Sequence, residues 1–196
     1  MPPSACFCSE IVPFASKVRV LIVRHAAEIN KTSNTGRLVS RALTNSVLVD
    51  HGAPEHTLDL TGLLGENPWV LAPGAAPLAQ PPAVHTLVVI DSTWASARGM
   101  RWRVPPLASV PTLSLPAPVI APIRRMRRGD HPDQMATIEA VAAALDFLGE
   151  PEPAAHLRRL FDVMAERVWR LRGFDMPPKR RGTFRGPSPV SDELNE

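Results

Sequence analysis

Asp91, Ser92, Thr93 and Trp94 stand directly after the apolar run Leu87-Val88-Val89-Ile90. A carboxylate, two hydroxyls and an indole in consecutive positions could accept a proton, hydrogen-bond a polar ligand and offer an aromatic face to a cation or a flat ring. A continuous run of this kind reads as a strand buried on both faces. Loops after the carboxyl ends of such strands are where open α/β folds build ligand sites. Asp91 is therefore the candidate general base, or an electrostatic stabiliser of a cationic reactant. Plain structural readings stand beside these: Asp91 as the cap of a following helix, Trp94 as a core aromatic between strand and helix.

The segment behind these residues is basic. Between Ser92 and Gly129 lie Arg98, Arg101, Arg103, Arg124, Arg125, Arg127 and Arg128, with no Asp or Glu among them. The whole chain carries a net charge of only +3, and 22 basic residues against 19 acidic ones leave that segment as a local feature. A field of one sign favours a polyanion, and the planar, permanently charged guanidinium suits phosphate. A general preference for Arg over Lys explains the residue type but not the missing acids.

These residues need a scaffold, and 196 residues with 44% hydrophobic content suit one globular domain. Val18 to Val23 reads as a first strand ending at Arg24-His25. A helix follows, with Ser33 or Asn34 as its N-cap and Leu38, Val39, Ala42 and Leu43 at helical spacing. Ser46 to Val49 is a short strand, His56 to Leu64 a further helix, and Trp69 to Leu71 a strand stopping at Pro73-Gly74. Thr93 is placed to cap a helix running through Met100 and Trp102. Leu113 to Leu115 is the next strand, and Thr137 to Leu148 a helix stopped by Gly149. Leu157, Leu160, Phe161, Met164, Val168 and Leu171 recur at steps of three and four, a packing stripe that closes at Gly173. Alternating strands and helices predict an α/β fold with a largely parallel sheet and C-terminal helices. The predicted domain covers residues 1–174, and 175–196, polar with a basic Lys179-Arg180-Arg181 run, is expected to be a disordered tail.

Cys6 and Cys8 are too close in sequence for a comfortable disulfide, which points to reduced thiols. No apolar run approaches the roughly 20 residues that span a bilayer, and the first ten residues lack the pattern of a signal peptide. The expected location is the cytoplasm, with no membrane and no obligate protein partner.

Several short segments, taken in order, resemble the DTW-domain family: Cys6-x-Cys8, Asn34-Thr35-Gly36-Arg37-Leu38, Leu71-x-Pro73, Asp91-x-Thr93-Trp94 with Ala97-Arg98-x-Met100, Arg124, and Thr137-x-Glu139-Ala140. The likeness runs from about Cys6 to Leu148, and it is carried by the order of the pieces more than by any one of them. It implies a single domain similar to the SPOUT methyltransferases, whose knot sequence patterns cannot reveal. It also implies S-adenosylmethionine as donor and transfer of its 3-amino-3-carboxypropyl group to N3 of a tRNA uridine. On that resemblance Asp91 is the catalytic residue. Leu71, Pro73, Gly74, Ser92, Thr93, Trp94, Arg124, Thr137 and Glu139 face the donor. Asn34, Arg37, Arg98, Arg125, Arg127 and Arg128 face the RNA.

Two departures matter. Family members commonly carry a Cys-x-x-Cys ahead of the Cys-x-Cys pair; this sequence has none, and two thiolates half fill a tetrahedral site, so no metal is expected. The aromatic residue before Arg124 is replaced by Ala121-Pro122. Two other readings share the same residues: an RNA methyltransferase using the same donor, and a non-catalytic RNA-binding module.

Overall fold

The computed structural model describes residues 5–52, 58–60, 62–72, 76–115, 135–171 and 173. Five strands form one sheet: β1 (Arg19–His25), β2 (Ser46–His51), β3 (Pro68–Leu71), β4 (Thr86–Asp91) and β5 (Thr112–Leu113). Every pairing is parallel and the order is β2-β1-β4-β3-β5. The helices are α1 (Gly36–Ala42), α2 (Trp94–Arg103), α3 (Pro105–Ser109), α4 (Thr137–Phe147) and α5 (Pro151–Leu171).

β1 and β4 are central because their side chains suit burial on both faces. Val20 and Ile22 of β1, with Leu87 and Val89 of β4, pack against α1, α4 and α5. Leu21, Val23 and Val88 point the other way, onto Met100 of α2, Leu107 of α3 and Val104 between them. The apolar stripe of α5 buries Leu157, Leu160, Phe161 and Met164, as its spacing requires. Gly149, at φ +84°, takes the left-handed conformation that ends α4. Glu150 then ties the junction of α4 and α5 to the start of β1, its carboxylate accepting from Val18 N at 2.8 Å, Lys17 N at 3.0 Å and Ser16 Oγ at 2.8 Å.

The sheet is wholly parallel, as expected in kind. The helix expected over His56 to Leu64 does not form in the described part: residues 58–60 are irregular, and Gly62 and Gly65 adopt φ +77° and +65°. Two left-handed glycines break the helical path, and Leu60 reaches the core from irregular chain instead. The strand expected over Leu113 to Leu115 is the shorter β5. The tail, 175–196, lies outside the described residues.

The strand order creates a topological switch point between β1 and β4. From β1 the chain passes through α1 to β2 on one side, while β4, on the other side of β1, leads to α2 on the opposite face. Between the carboxyl ends of β1 and β4 the connections diverge, which is the position of ligand sites in open α/β sheets.

Candidate active site at the carboxyl edge of the sheet

Register places Arg24 of β1 beside Asp91 of β4 on one side and Asp50 of β2 on the other. Side chains in register on parallel strands share a face. All three project from the face of Val20, Ile22, Leu87 and Val89, so a charged row, Asp50, Arg24, Asp91, closes the apolar face that α1 and α4 cover.

Asp91 is only 4% exposed and has two hydrogen-bond donors from distant parts of the chain. Asn34 Nδ2 donates to its Oδ2 at 2.6 Å, and Thr137 Oγ1 donates to its Oδ1 at 2.6 Å. Asn34 is fixed in turn, because its Oδ1 accepts from Arg37 N at 2.9 Å across the first turn of α1. Thr137 is the first residue of α4. Next to it, Ile138 N donates to Thr35 Oγ1 at 3.4 Å, joining the starts of α1 and α4 above the strand. Gly36 lets them close: a Cβ there would lie 2.4 Å from Asp91 Oδ2 and 2.7 Å from its Cγ. An ionised carboxylate has about four lone-pair directions, so two donors orient the group and leave others for a ligand.

Asp91 does not cap the following helix. Thr93 does, its Oγ1 accepting from Ser96 N at 3.4 Å, so the burial and bonding of Asp91 are independent of α2.

Arg24 is buried beside this carboxylate. Its Nε and Nη2 donate to Asp50 Oδ1 at 2.6 Å and Oδ2 at 2.9 Å, a two-point clamp, while Nη1 is buried without a hydrogen-bond partner. A buried guanidinium nitrogen without an acceptor is costly, and an anionic group of a ligand would satisfy it. At the next positions along the edge His25 is in register with His51. Burial holds the His51 imidazole below its ordinary range, with the charges of His25 and Arg103 adding to the effect.

The remaining sequence expectations fall as follows. Asn34, expected to face RNA, is instead buried with its amide committed to Asp91 and to Arg37 N, and so positions the carboxylate. Glu139, expected to face the donor, caps α4, its Oε2 accepting from Ala136 N at 2.8 Å. Thr137, expected to face the donor, donates to Asp91. Ser92 is half-buried and Thr93 exposed at the start of α2. Leu71 ends β3 and packs partly buried against the core, in register with Val89 and so short of the Asp91 row. Arg37 and Arg98 are exposed. Arg37 donates to the Ile29 carbonyl and, with Arg41, rims a cavity of about 200 Å³ floored by Phe7, Ile11, Leu38 and Met164, with Asn34 in its wall. Pro73, Gly74, Arg124, Arg125, Arg127, Arg128 and the side chain of Trp94 lie outside the described residues. Sequence reading missed Arg24, Asp50 and Gly36. A signal existed for the first two: a charge at the end of a strand otherwise buried on both faces needs a partner on the neighbouring strand.

Cys6 and Cys8 are free and exposed. Hydrogen bonds from the backbone and side chain of Cys8 hold the Cys6 thiol below its ordinary range. No group of three or more metal-ligating side chains forms among the described residues, and these two thiols alone do not make a tetrahedral zinc site. Nor is any described helix long and apolar enough to cross a membrane.

The family model of the DTW domain matches residues 1–169. No solved structure matches the chain.

Proposed function

The chain belongs to the DTW-domain family, which includes tRNA-uridine aminocarboxypropyltransferases and points to a tRNA-modifying role, and on that premise we propose that it transfers the 3-amino-3-carboxypropyl group of S-adenosylmethionine to N3 of a tRNA uridine. The observation that carries this reading is the seating of Asp91: buried, at the carboxyl end of a central strand, and oriented by Asn34 and Thr137 from the starts of two helices. Alkylation at N3 requires loss of the imide proton, and a fixed carboxylate within reach of that nitrogen is the group to take it.

One feature of the site supports S-adenosylmethionine as the donor. S-adenosylmethionine would supply an electrophilic carbon beside a sulfonium, whose bond to that carbon breaks as methylthioadenosine leaves, together with an amino acid carboxylate. We assign that carboxylate to Arg24 Nη1, which is buried without an acceptor on a guanidinium that Asp50 clamps at its other two nitrogens. Asp91 provides the complementary negative charge on the same face. We include in the proposal a SPOUT-like arrangement of the domain and the cytoplasm as its location.

The test is mass spectrometry of nucleosides from unmodified tRNA incubated with the protein and S-adenosylmethionine, with Asp91→Ala and Asp91→Asn in parallel. The expected product is a uridine heavier by the aminocarboxypropyl group, absent with both variants. A methylated base would overturn the transfer and keep the donor, and tight tRNA binding without any product would overturn the enzyme reading.

A further inference from the structure

Among its described side chains, helix α2 leaves one aromatic in solvent. Trp102 is 66% exposed, and the other large hydrophobic residues exposed among the described ones, Val12 and Leu171, are aliphatic. An isolated exposed apolar residue needs no explanation by itself, but the surroundings of this one are specific. Arg98 stands four residues earlier and thus shares its helix face. Arg103 follows it and folds back over Gly99, its Nε donating to the Gly99 carbonyl at 3.2 Å. Both arginines are exposed, and α2 carries no acidic residue.

The ring is also fixed from behind. The guanidinium carbon of Arg101 lies 5.5 Å from the Trp102 ring centroid, within cation–π range. Arg101 is itself buried, its Nη2 donating to the Val110 carbonyl and, at 3.3 Å, to Thr112 Oγ1. A cation anchored to the chain around β5 holds one region of the indole, and the rest faces solvent.

We propose that Trp102, flanked by Arg98 and Arg103, is a stacking platform for an unpaired base of the RNA substrate, with the two arginines taking the adjoining phosphates. Base-on-aromatic stacking beside cations is how single-stranded nucleic acid is held without reading its sequence. Charge selects this occupant over a protein surface: Trp102 shares its helix with exposed Arg98 and Arg103 and with no acidic residue. The inference rests on RNA being the substrate, as proposed above, and is independent of which group is transferred.

The test uses the full chain and an unmodified tRNA transcript, without S-adenosylmethionine, titrated at several salt concentrations. Trp102→Ala should weaken binding by about ten-fold, Trp102→Phe much less, and neither should alter the slope of log affinity against log salt. Arg98→Ala should lower that slope by about one. Circular dichroism melts check that each variant is folded, as expected for exposed positions. Folded Trp102→Ala with native affinity would overturn the platform, and native affinity with altered self-association by light scattering would assign the patch to a second copy instead. If no variant, nor the native protein, yields modified uridine while Trp102→Ala still binds weakly, the transfer reading fails and the platform stands.

Discussion

Gly36→Ala tests whether the site is as tightly assembled as its distances imply. Gly36 is the first residue of α1 and has no left-handed backbone, so helix propensity alone favours alanine, by up to about 1 kcal/mol. Packing opposes it: the new Cβ would meet Asp91 Oδ2 at 2.4 Å, Cγ at 2.7 Å and Cβ at 3.2 Å. Ordinary contact begins near 3.4 Å, so the carboxylate must retreat by about 1 Å, the difference between 3.4 and 2.4. It has little room, being 4% exposed and bonded at 2.6 Å on each oxygen. Overpacking of this kind costs about 1–3 kcal/mol, and stretching two hydrogen bonds to a carboxylate adds to that. The clash outweighs the propensity gain, for a net loss of about 1–3 kcal/mol and a fall in Tm of about 2–4 °C per kcal/mol at this chain length. A misplacement of about 1 Å should also lower the transfer rate by about a hundred-fold. Urea denaturation measures the first effect, and the rate of modified-nucleoside formation the second. An alanine variant as stable and as fast as the native protein would show that Asp91 is not held in the way described.

Two further outcomes follow from the same geometry. Asp50→Ala leaves the buried Arg24 guanidinium without its clamp and should cost about 2–4 kcal/mol in urea denaturation; the Arg24→Met, Asp50→Leu double variant should recover much of that, and a loss below about 0.5 kcal/mol for Asp50→Ala contradicts the pairing. His156 is stacked on Phe14, and burial holds its imidazole below the ordinary range, the charge of Arg159 adding to this. The folded state therefore prefers the neutral ring and the unfolded chain binds the proton more readily, so this contribution is complete above a pH of about 6.5 and lost as pH falls below it. Urea midpoints between about pH 7.5 and pH 5.5 should show a smaller drop for His156→Phe than for the native protein. Equal drops would remove His156 from the account.

Much of this molecule is legible in local sequence. The unbroken apolar runs at Val20 to Val23 and Leu87 to Ile90 specify strands buried on both faces. The three- and four-residue stripe from Leu157 to Val168 specifies a helix with one packed face, and Thr93 and Gly149 mark helix ends that the structure retains. Asp91 is legible as a candidate site residue because a strand end is recognisable without knowing its neighbours. What surrounds Asp91 was not legible, since its two donors come from 57 and 46 residues away. Those contacts exist only after β4 has inserted beside β1 and both α1 and α4 have settled on the same face, and parallel strand order leaves no mark on the composition of a strand. Asn34 read as a surface residue for the same reason: a polar side chain at a helix start looks alike whether its amide meets water or a buried carboxylate. Arg101 and Trp102 show the converse, adjacent on one helix, where propensity and charge would bury the tryptophan and expose the arginine. Tertiary packing reverses the pair, because a guanidinium with carbonyl and hydroxyl acceptors within reach can be buried, while the indole turns outward with that cation behind it.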